Sequence, residues 1–427
     1  MERRQVIKGA LFAVPVAAAG VAIGAATQIG SPQRSGSDLT DPFPGPGNPE
    51  LGVEDLPPTL GVNFHGTWEM YWPQGADVPN AMFTRHLDQL HEQGVAVLRV
   101  DHGWSTSQPT EAAPSADRRY NRRLGYLLDQ AKARKMKVLV TVHQSPEWAR
   151  PGTGGEPKQF PSDPDAIRPW ASWLAETYGD RVLGWEVWNE PNLVAFTGVA
   201  DPSERPVRYV PLLRAFSEAV KKVKPDSVVV FGGPSKNDDK FIKACYEVGA
   251  RNYFDVLSVH PYQGDQTVPP EAEDLAGPGR MTHFGAIVEL MARYDDIGKP
   301  VWWTEFGFSV HSNDGVPADQ PWNKGVATDA ISADYLRRSF ELARRRYPQV
   351  RLAVVYAAYR PPGGAYGHVH GFRMLDEDGT LRPQLPTLRG WISAYGATRP
   401  LLAPLPTASP PTPTGSTSAS GSPRPVR

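Results

Sequence analysis

The stretch LGWEVWNEPN (183–192) decides how the rest of the chain is interpreted. Its aromatic and β-branched residues predict a buried strand over 182–189, yet the run ends on Asn189 and Glu190, which are normally hydrated. In α/β proteins, ligands bind where parallel strands end. If Glu190 is a catalytic acid, a second carboxylate must lie elsewhere in the chain.

Short apolar runs followed by helical segments recur along the whole chain. Strands are predicted at 59–65, 95–101, 137–143, 182–189, 227–233, 255–260, 300–306 and 352–359. Helices are predicted at about 81–93, 118–135, 164–178, 206–224, 238–249, 281–295, 327–346 and 384–395. Eight such units predict an α/β fold, a (β/α)8 TIM barrel with a single catalytic domain. A doubly wound open sheet is the alternative, but the sequence lacks the glycine-rich phosphate loop that it would need.

In a barrel, active groups lie where the strands end and the following loops begin. Polar and aromatic side chains are frequent at these points: Asn63 and His65 after the first strand, Arg99, Asp101 and Trp104 after the second, His143 and Trp148 after the third, Asn189 and Glu190 after the fourth, His260 and Tyr262 after the sixth, Glu305 after the seventh and Tyr359 after the eighth. So many polar strand ends around one mouth indicate a common binding site.

Glu305, in VWWTEFGFS (301–309), is the second carboxylate. It ends the seventh predicted strand, so it faces Glu190 across the mouth. Glycoside cleavage requires this arrangement, because one carboxyl group protonates the leaving oxygen while the other attacks or assists at the sugar carbon. Two nearby carboxylates also separate each other's pKa values, so that one of them stays protonated near neutral pH.

These motifs resemble those of the clan A retaining β-glycoside hydrolases. WNEPN (188–192) with the later TEFG (304–307) is similar to the clan's elements on strands 4 and 7, and GFRMLDEDGTLRPQLPTL (371–388) to its closing segment. The match spans about residues 59–396, with family 39 closest and family 5 next. The resemblance implies that Glu190 is the acid/base and Glu305 the nucleophile, about 5–5.5 Å apart.

The same resemblance implies supporting roles for further residues. Asn189 would bind the sugar 2-hydroxyl, and Arg99 would hold the nucleophile ionised. Tyr262, in the HPY of 260–262, would contact the nucleophile. By strand alternation, Glu186, four residues before Glu190, faces the barrel interior lower down and is expected to form a structural ion pair, with Arg99 as a candidate partner.

Aromatic residues near the mouth are candidates for stacking on sugar faces. Trp104 and Trp148 either serve this purpose or anchor their loops in the core. Many clan members carry a tryptophan at the end of strand 8, whereas this chain has VVYAAYRPPGG (354–364), so Tyr356 or Tyr359 would take its place.

Histidines raise a choice between ligand binding and structure. His143 and His65 are either sugar ligands or satisfied core histidines, and His260 more often orients a neighbour than moves a proton. His368 and His370 suggest a metal-dependent barrel hydrolase, but such pairs belong to the first strand of those barrels, so we predict neither metal nor cofactor.

The two ends of the chain differ from its centre in composition. Residues 1–30 resemble a twin-arginine-like signal or an N-terminal anchor, with Arg3 and Arg4 before an apolar run. Residues 31–55 predict a Pro/Gly/Ser linker, 56–400 the barrel and 401–427 a disordered Ser/Thr/Pro tail. We therefore expect an exported protein, secreted or associated with the cell envelope, which contacts a membrane only if the first segment is not cleaved.

The overall composition restricts the partners. A formal net charge of −1 gives no basic field for nucleic acid, and one cysteine, Cys245, permits no intramolecular disulfide. We expect a monomer that binds carbohydrate and no nucleic acid, and that cleaves a poly- or oligosaccharide by endo action and double displacement. A non-catalytic carbohydrate-binding barrel and a transglycosylase on the same scaffold are the alternatives.

Overall fold

The computed structural model of the chain describes residues 53–150, 152, 157–311, 324–359 and 368–405. The segment predicted as a signal or anchor (1–30), most of the linker (31–55) and most of the tail (401–427) lie outside the described residues. Within the described part of the chain, no helix is both long enough and apolar enough to cross a bilayer.

Eight parallel strands form the centre of the molecule. They are β1 (Thr59–Asn63), β2 (Val97–Gly103), β3 (Lys137–His143), β4 (Gly184–Val187), β5 (Val229–Phe231), β6 (Leu257–Val259), β7 (Val301–Phe306) and β8 (Val350–Val355). Pairing follows the order β5-β4-β3-β2-β1-β8-β7-β6, and a parallel bridge between Val230 and Val256 joins β5 to β6. The sheet therefore closes into the predicted barrel, because an open sheet would leave its two end strands apart.

A helix follows each strand and covers the outside of the barrel. The helices are α1 (Ala81–Glu92), α2 (Arg119–Ala133), α3 (Arg168–Tyr178), α4 (Glu204–Val223), α5 (Asp239–Glu247), α6 (Phe284–Arg293), α7 (Asp329–Arg346) and α8 (Gln384–Ser393). The side chains of Asn80, Asp238 and Thr328 accept backbone N–H groups at the starts of α1, α5 and α7. The predicted elements are all present and differ from these only by a few residues at their ends.

The loops contain short helical turns. Trp104–Ser107 and Val194–Thr197 are single α-helical turns, and 3-10 turns lie at Val53–Asp55, Glu147–Ala149, Pro164–Ile167, Ala250–Tyr253, Gly277–Gly279, Met281–His283 and His368–Phe372. The first two of these turns follow β2 and β4, so they belong to the mouth of the barrel.

The barrel interior has an apolar lower half and a polar upper half. The lower half, which we call the plug, consists of fully buried side chains from five strands and from the residue before β6: Val97, Leu139, Val230, Val256, Trp302, Leu352 and Val354. Alternate residues of each strand face the interior. On β3, for example, Leu139 lies in the plug, Thr141 above it and His143 at the mouth.

Candidate active site

An unusual turn at the end of β4 places Glu190 at the mouth. Trp188 has φ 78° and Glu190 has φ 45°, both in the left-handed region that L-residues rarely adopt. Strand alternation would put Trp188 on the interior face with Glu186, but its indole N–H instead donates to the Phe196 carbonyl at 2.7 Å. The Glu190 N–H donates to the Gly233 carbonyl at 3.1 Å, which fixes the turn. Such strained residues are concentrated at functional sites.

Glu305 reaches the mouth through an irregularity in β7. Trp303 pairs with Ala353, and Phe306 pairs with Val355, so β7 uses one more residue than β8 over this interval. An extra residue of this kind is a β-bulge, which redirects the side chains beside it. Regular alternation would put Glu305 on the outward face with Trp303. The bulge turns it into the barrel instead.

Arg99 connects Glu305 and Asn189 to the residues beneath them. Its Nη1 donates to Glu305 Oε2 at 2.9 Å and to Asn63 Oδ1 at 3.0 Å, and its Nη2 donates to Asn189 Oδ1 at 2.8 Å. Its Nε donates to Glu186 Oε2 at 2.6 Å, which is the ion pair expected from the sequence. The planar guanidinium thus ties β2 to β1, β4 and β7, and the Asn189 amide nitrogen can donate to a ligand.

Tyr262 and His260 contact one candidate each. The Tyr262 hydroxyl donates to Glu305 Oε1 at 3.0 Å, and His260 Nδ1 lies 3.3 Å from Glu190 Oε1. Burial, followed by the charge of Glu305, raises the Tyr262 pKa well above its ordinary value, so this hydroxyl keeps its proton. Gly233 makes room for the imidazole, because a Cβ there would lie 2.6 Å from His260 Cδ2.

The two glutamates that share Arg99 have pKa shifts of opposite direction. Burial would raise the pKa of Glu186, but the charge of Arg99, with His260 and a 2.6 Å hydrogen bond from Thr141, holds it below its ordinary value. Burial raises the pKa of Glu305, and the charge of Glu190 adds to this against the opposing effects of His260 and Arg99. The charge of Glu190 therefore helps to raise the Glu305 pKa, whereas Arg99 holds the Glu186 pKa low.

Among the described residues, the two catalytic candidates and His260 form a group that could hold a cation. One oxygen of Glu190, one of Glu305 and one nitrogen of His260 lie within 4.8 Å of one another. A cation would have to compete with Arg99 and Tyr262, which already donate to the two oxygens of Glu305. That no metal is used stays a prediction, and the side chain of His368, on which the metal alternative rests, lies outside the described residues.

The stacking role predicted for Trp104 is wrong. This side chain is fully buried, stacks on Trp170 at 5.7 Å between ring centroids, and donates from Nε1 to Gln108 Oε1 at 2.9 Å. Trp148 packs edge-on against Trp104 at 5.4 Å and is only partly buried, so it keeps a surface for a ligand. The short helix after β2 turns Trp104 inward, and no sequence pattern distinguishes the two.

Tyr359 is half-buried and packs toward α1, and its predicted substrate contact stays a prediction. Its ring lies 5.1 Å from that of His86 on α1 and 6.3 Å from that of Tyr71, on the helical side of the barrel wall. Tyr356 is the tyrosine at the mouth, with its ring 5.9 Å from that of His65. Strand alternation from the plug residue Val354 would have selected Tyr356, because positions two apart share a face.

Asp101 was placed at a strand end by the sequence but given no role. Its Oδ2 lies 3.1 Å from His65 Nδ1, and its Oδ1 lies 4.0 Å from His143 Nε2. Alternation from Arg99 on β2 would have predicted that it faces the interior. Burial lowers the pKa of His143 to about 4 despite the nearby Asp101 charge, so His143 is neutral at neutral pH.

Comparison with known proteins identifies the family of this chain and relatives that share its fold. Residues 63–338 match the family model described as Cellulase (glycosyl hydrolase family 5). A family 39 glycoside hydrolase from the gut symbiont Bacteroides cellulosilyticus WH2 is 23% identical, with a TM-score of 0.60 over 81% of this chain and 65% of that chain. The present chain thus spans less than two thirds of that relative.

Two further solved structures share the fold. A variant of a family 5, subfamily 18 protein from Streptomyces cattleya, in complex with Manβ1-4GlcNAc, is 17% identical with a TM-score of 0.59, covering 81% of this chain and 82% of that one. A family 39 β-xylosidase from Caulobacter crescentus is 17% identical with a TM-score of 0.53, covering 78% and 70%.

The membership of clan A expected from the sequence is confirmed. The sequence motifs placed family 39 first and family 5 second, and the matching family model is that of family 5. The chain therefore belongs to glycosyl hydrolase family 5.

Proposed function

We propose that this chain is an exported glycosidase that cleaves β-linked poly- or oligosaccharides internally and retains the anomeric configuration. The observation that supports retention is the proximity of Glu190 and Glu305, whose nearest oxygens lie within 4.8 Å. Retaining enzymes hold their carboxyl groups about 5–5.5 Å apart, whereas inverting enzymes hold them about 6.5–9.5 Å apart to admit a water molecule.

In the first step, Glu305 attacks the anomeric carbon while Glu190 donates its proton to the departing oxygen. The bond to the leaving sugar breaks, and a covalent glycosyl-enzyme forms. Arg99 and Tyr262 stabilise the Glu305 carboxylate through contacts at 2.9 and 3.0 Å. The charge of Glu190 is one cause of the raised Glu305 pKa, so protonation of Glu190 favours the ionised nucleophile.

In the second step, Glu190 removes a proton from water, which attacks the same carbon and releases Glu305. His260, 3.3 Å from Glu190, holds this carboxyl group in place for both proton transfers. Two displacements at one carbon restore its original configuration. A sugar hydroxyl in place of water would give transglycosylation, which would appear as products longer than the substrate.

Endo action and export rest on the sequence. The long loops after the strands favour an open cleft, and the twin-arginine-like segment at 1–30 favours export. The similar proteins include a β-xylosidase and a protein in complex with Manβ1-4GlcNAc, so β-linked xylans and mannans are the first substrates to test.

The test compares the wild-type chain with Glu305→Gln and with Glu176→Gln, a control on the exposed side of α3. Each is incubated with β-glucans, mannans, xylans, galactans and bacterial exopolysaccharides, and new reducing ends are measured. The anomer of the first product is followed by NMR. We expect a β product from the wild type and the control, and none from Glu305→Gln.

Three results would contradict parts of this proposal. An α-configured first product would contradict retention, and equal release by Glu305→Gln would remove that residue from the chemistry. Release of only terminal sugars would contradict endo action. Binding of a glycan by all three proteins without any cleavage would favour the non-catalytic carbohydrate-binding barrel.

A further inference from the structure

The mouth of the barrel contains a third carboxylate that the two-step mechanism does not use. Asp101 lies at the end of β2, two residues beyond Arg99 and on the same interior face. His65 of the loop after β1 and His143 of β3 flank it, at 3.1 and 4.0 Å respectively. We call these three residues the Asp101 cluster.

The carboxylate of Asp101 has unused hydrogen-bonding capacity. A carboxylate offers about four acceptor positions. Among the described residues, His65 is the side chain that donates to it, and His143 at 4.0 Å is too far to do so. The Thr67 hydroxyl donates instead to the Asp101 backbone carbonyl. With 16% of its side chain exposed toward the mouth, Asp101 can accept further donors.

The charge of Asp101 makes such donors favourable. Burial alone would raise its pKa, but the hydrogen bond from His65 and the positive charge of its neighbours, Arg99 among them, hold the pKa well below its ordinary value. A largely buried charge that lacks donors is costly, so a ligand that supplies them gains free energy. The guanidinium of Arg99 is already bonded to Glu186 and Glu305.

The position of the cluster selects one side of a bound sugar. Glu190 follows β4, and Glu305 lies on β7. On one arc of the barrel, β4 and β7 are separated by β5 and β6, and His260 follows β6. Asp101 lies on the opposite arc, which consists of β8, β1, β2 and β3. A sugar whose anomeric carbon lies between the two glutamates therefore presents its remaining ring carbons toward the cluster.

We propose that Asp101 is a specificity-determining residue, whose carboxylate accepts hydrogen bonds from hydroxyl or ammonium groups on the side of this sugar away from the cleaved bond. This inference rests on the glycosidase function proposed above. His65 fixes the orientation of the carboxylate, and His143 forms the adjacent wall. The Nε2 of His65 is buried and has no partner among the described residues, so it is a second atom of the cluster that can contact a ligand or a water molecule.

The test uses matched substrates as well as matched variants. Aryl β-glycosides of the sugar that the wild type cleaves fastest are compared with their 3-deoxy, 4-deoxy and 6-deoxy forms and with the corresponding amino sugars. Each is assayed for kcat and KM with the wild type, Asp101→Asn, Glu305→Gln and the control Asp129→Asn, which lies on the outer helix α2 and pairs with Arg181.

We expect at least one deoxy substrate to lose about 10- to 100-fold in kcat/KM with the wild type, as for a hydrogen bond to a charged group. On the parent substrate, Asp101→Asn should reduce kcat/KM by a similar factor. On that deoxy substrate, the same substitution should reduce kcat/KM little further. Asp129→Asn should behave as the wild type. A larger loss in Asp101→Asn for the amino sugar than for the parent sugar would assign the donor as ammonium, and equal losses would assign it as hydroxyl.

Two results would overturn the proposal. One is that every deoxy substrate is cleaved by the wild type as fast as its parent, which needs no variant and so does not depend on how Asp101→Asn folds. The other is that Asp101→Asn slows all substrates by the same factor, as a purely structural residue would. If Glu305→Gln keeps full activity, the proposed function itself fails, whereas an inactive Glu305→Gln beside either overturning result rejects only the role of Asp101.

Discussion

The two halves of the barrel interior are built on the same strands but differ in what they bury. In the plug, side chains such as Leu139 and Val230 fill the space between strands and need no partners. A few ångströms above, Arg99, Glu186 and Thr141 are equally buried, but each charge or hydroxyl must be paired. The comparison shows that one strand can contribute packing at its lower end and chemistry at its upper end.

Glu186 and Glu305 show the same contrast within the polar half. Both accept from Arg99, but Glu186 is fully buried and also accepts from Thr141 and Ser258. Glu305 has 13% of its side chain exposed and lies close to Glu190. The first pairing therefore stabilises the fold, while the second leaves a carboxylate that can react.

The largest expected effect is on kcat, from a substitution at the upper end of the barrel interior. Glu305→Gln keeps the shape of the side chain but removes the nucleophile, so we expect kcat to fall by at least about 10⁴-fold. Thermal unfolding should change little, because burial and the charge of Glu190 raise the Glu305 pKa, so the fold does not stabilise its ionised form. Steady-state kinetics and calorimetry would check this, and a large loss of stability with intact kcat would reverse the assigned roles.

The next largest expected effect is on the free energy of unfolding, from a substitution below the mouth of the barrel. Glu186→Gln leaves the buried Arg99 without one of its two carboxylates, and breaking a buried pair costs about 3–5 kcal/mol. Urea denaturation would measure the change, with the exposed Glu176→Gln as the control. A change below about 1 kcal/mol would mean that Glu186 behaves like a surface ion pair.

In the plug, we expect Leu139→Ala to lower the free energy of unfolding by about 2–5 kcal/mol, through lost burial and the cavity that remains. The kcat of the folded protein should stay close to that of the wild type, since no polar contact of the mouth is removed. Chemical denaturation with kinetics at low temperature would test both statements. A large fall in kcat would show that the plug positions Arg99.

The smallest expected effect is on the pH dependence of the free energy of unfolding, to which His143 at the upper end of β3 contributes and Leu139 at its lower end does not. His143 has a folded pKa of about 4, below its ordinary value of 6.5. Its contribution to stability is therefore present above pH 6.5 and is lost as the pH falls toward 4, by about 2 kcal/mol at pH 5. Between pH 7 and pH 5, the free energy of unfolding of His143→Gln should fall by about 2 kcal/mol less than that of the wild type. Leu139→Ala should keep the wild-type pH dependence, and identical slopes in all three proteins would contradict the buried neutral imidazole.

Much of the site could be predicted because it follows from local rules. Glu190 and Glu305 each end an apolar run, and strand ends meet at one side of a barrel. The Arg99–Glu186 pair could also be anticipated, since both residues lie on the interior faces of their strands. Trp104 was misassigned because it lies beyond regular strand, where alternation no longer indicates which way a side chain points.

By itself, the sequence determined the eight repeated units, the closed barrel and the two carboxylates, since strand and helix periodicity depend on residues close together in the chain. Only the tertiary structure decided how those carboxylates are presented. The bulge in β7 and the left-handed turn at Glu190 depend on strands β8 and β5 respectively, which are distant in sequence. The Asp101 cluster likewise needs three strands in register, and a single sequence does not specify that register.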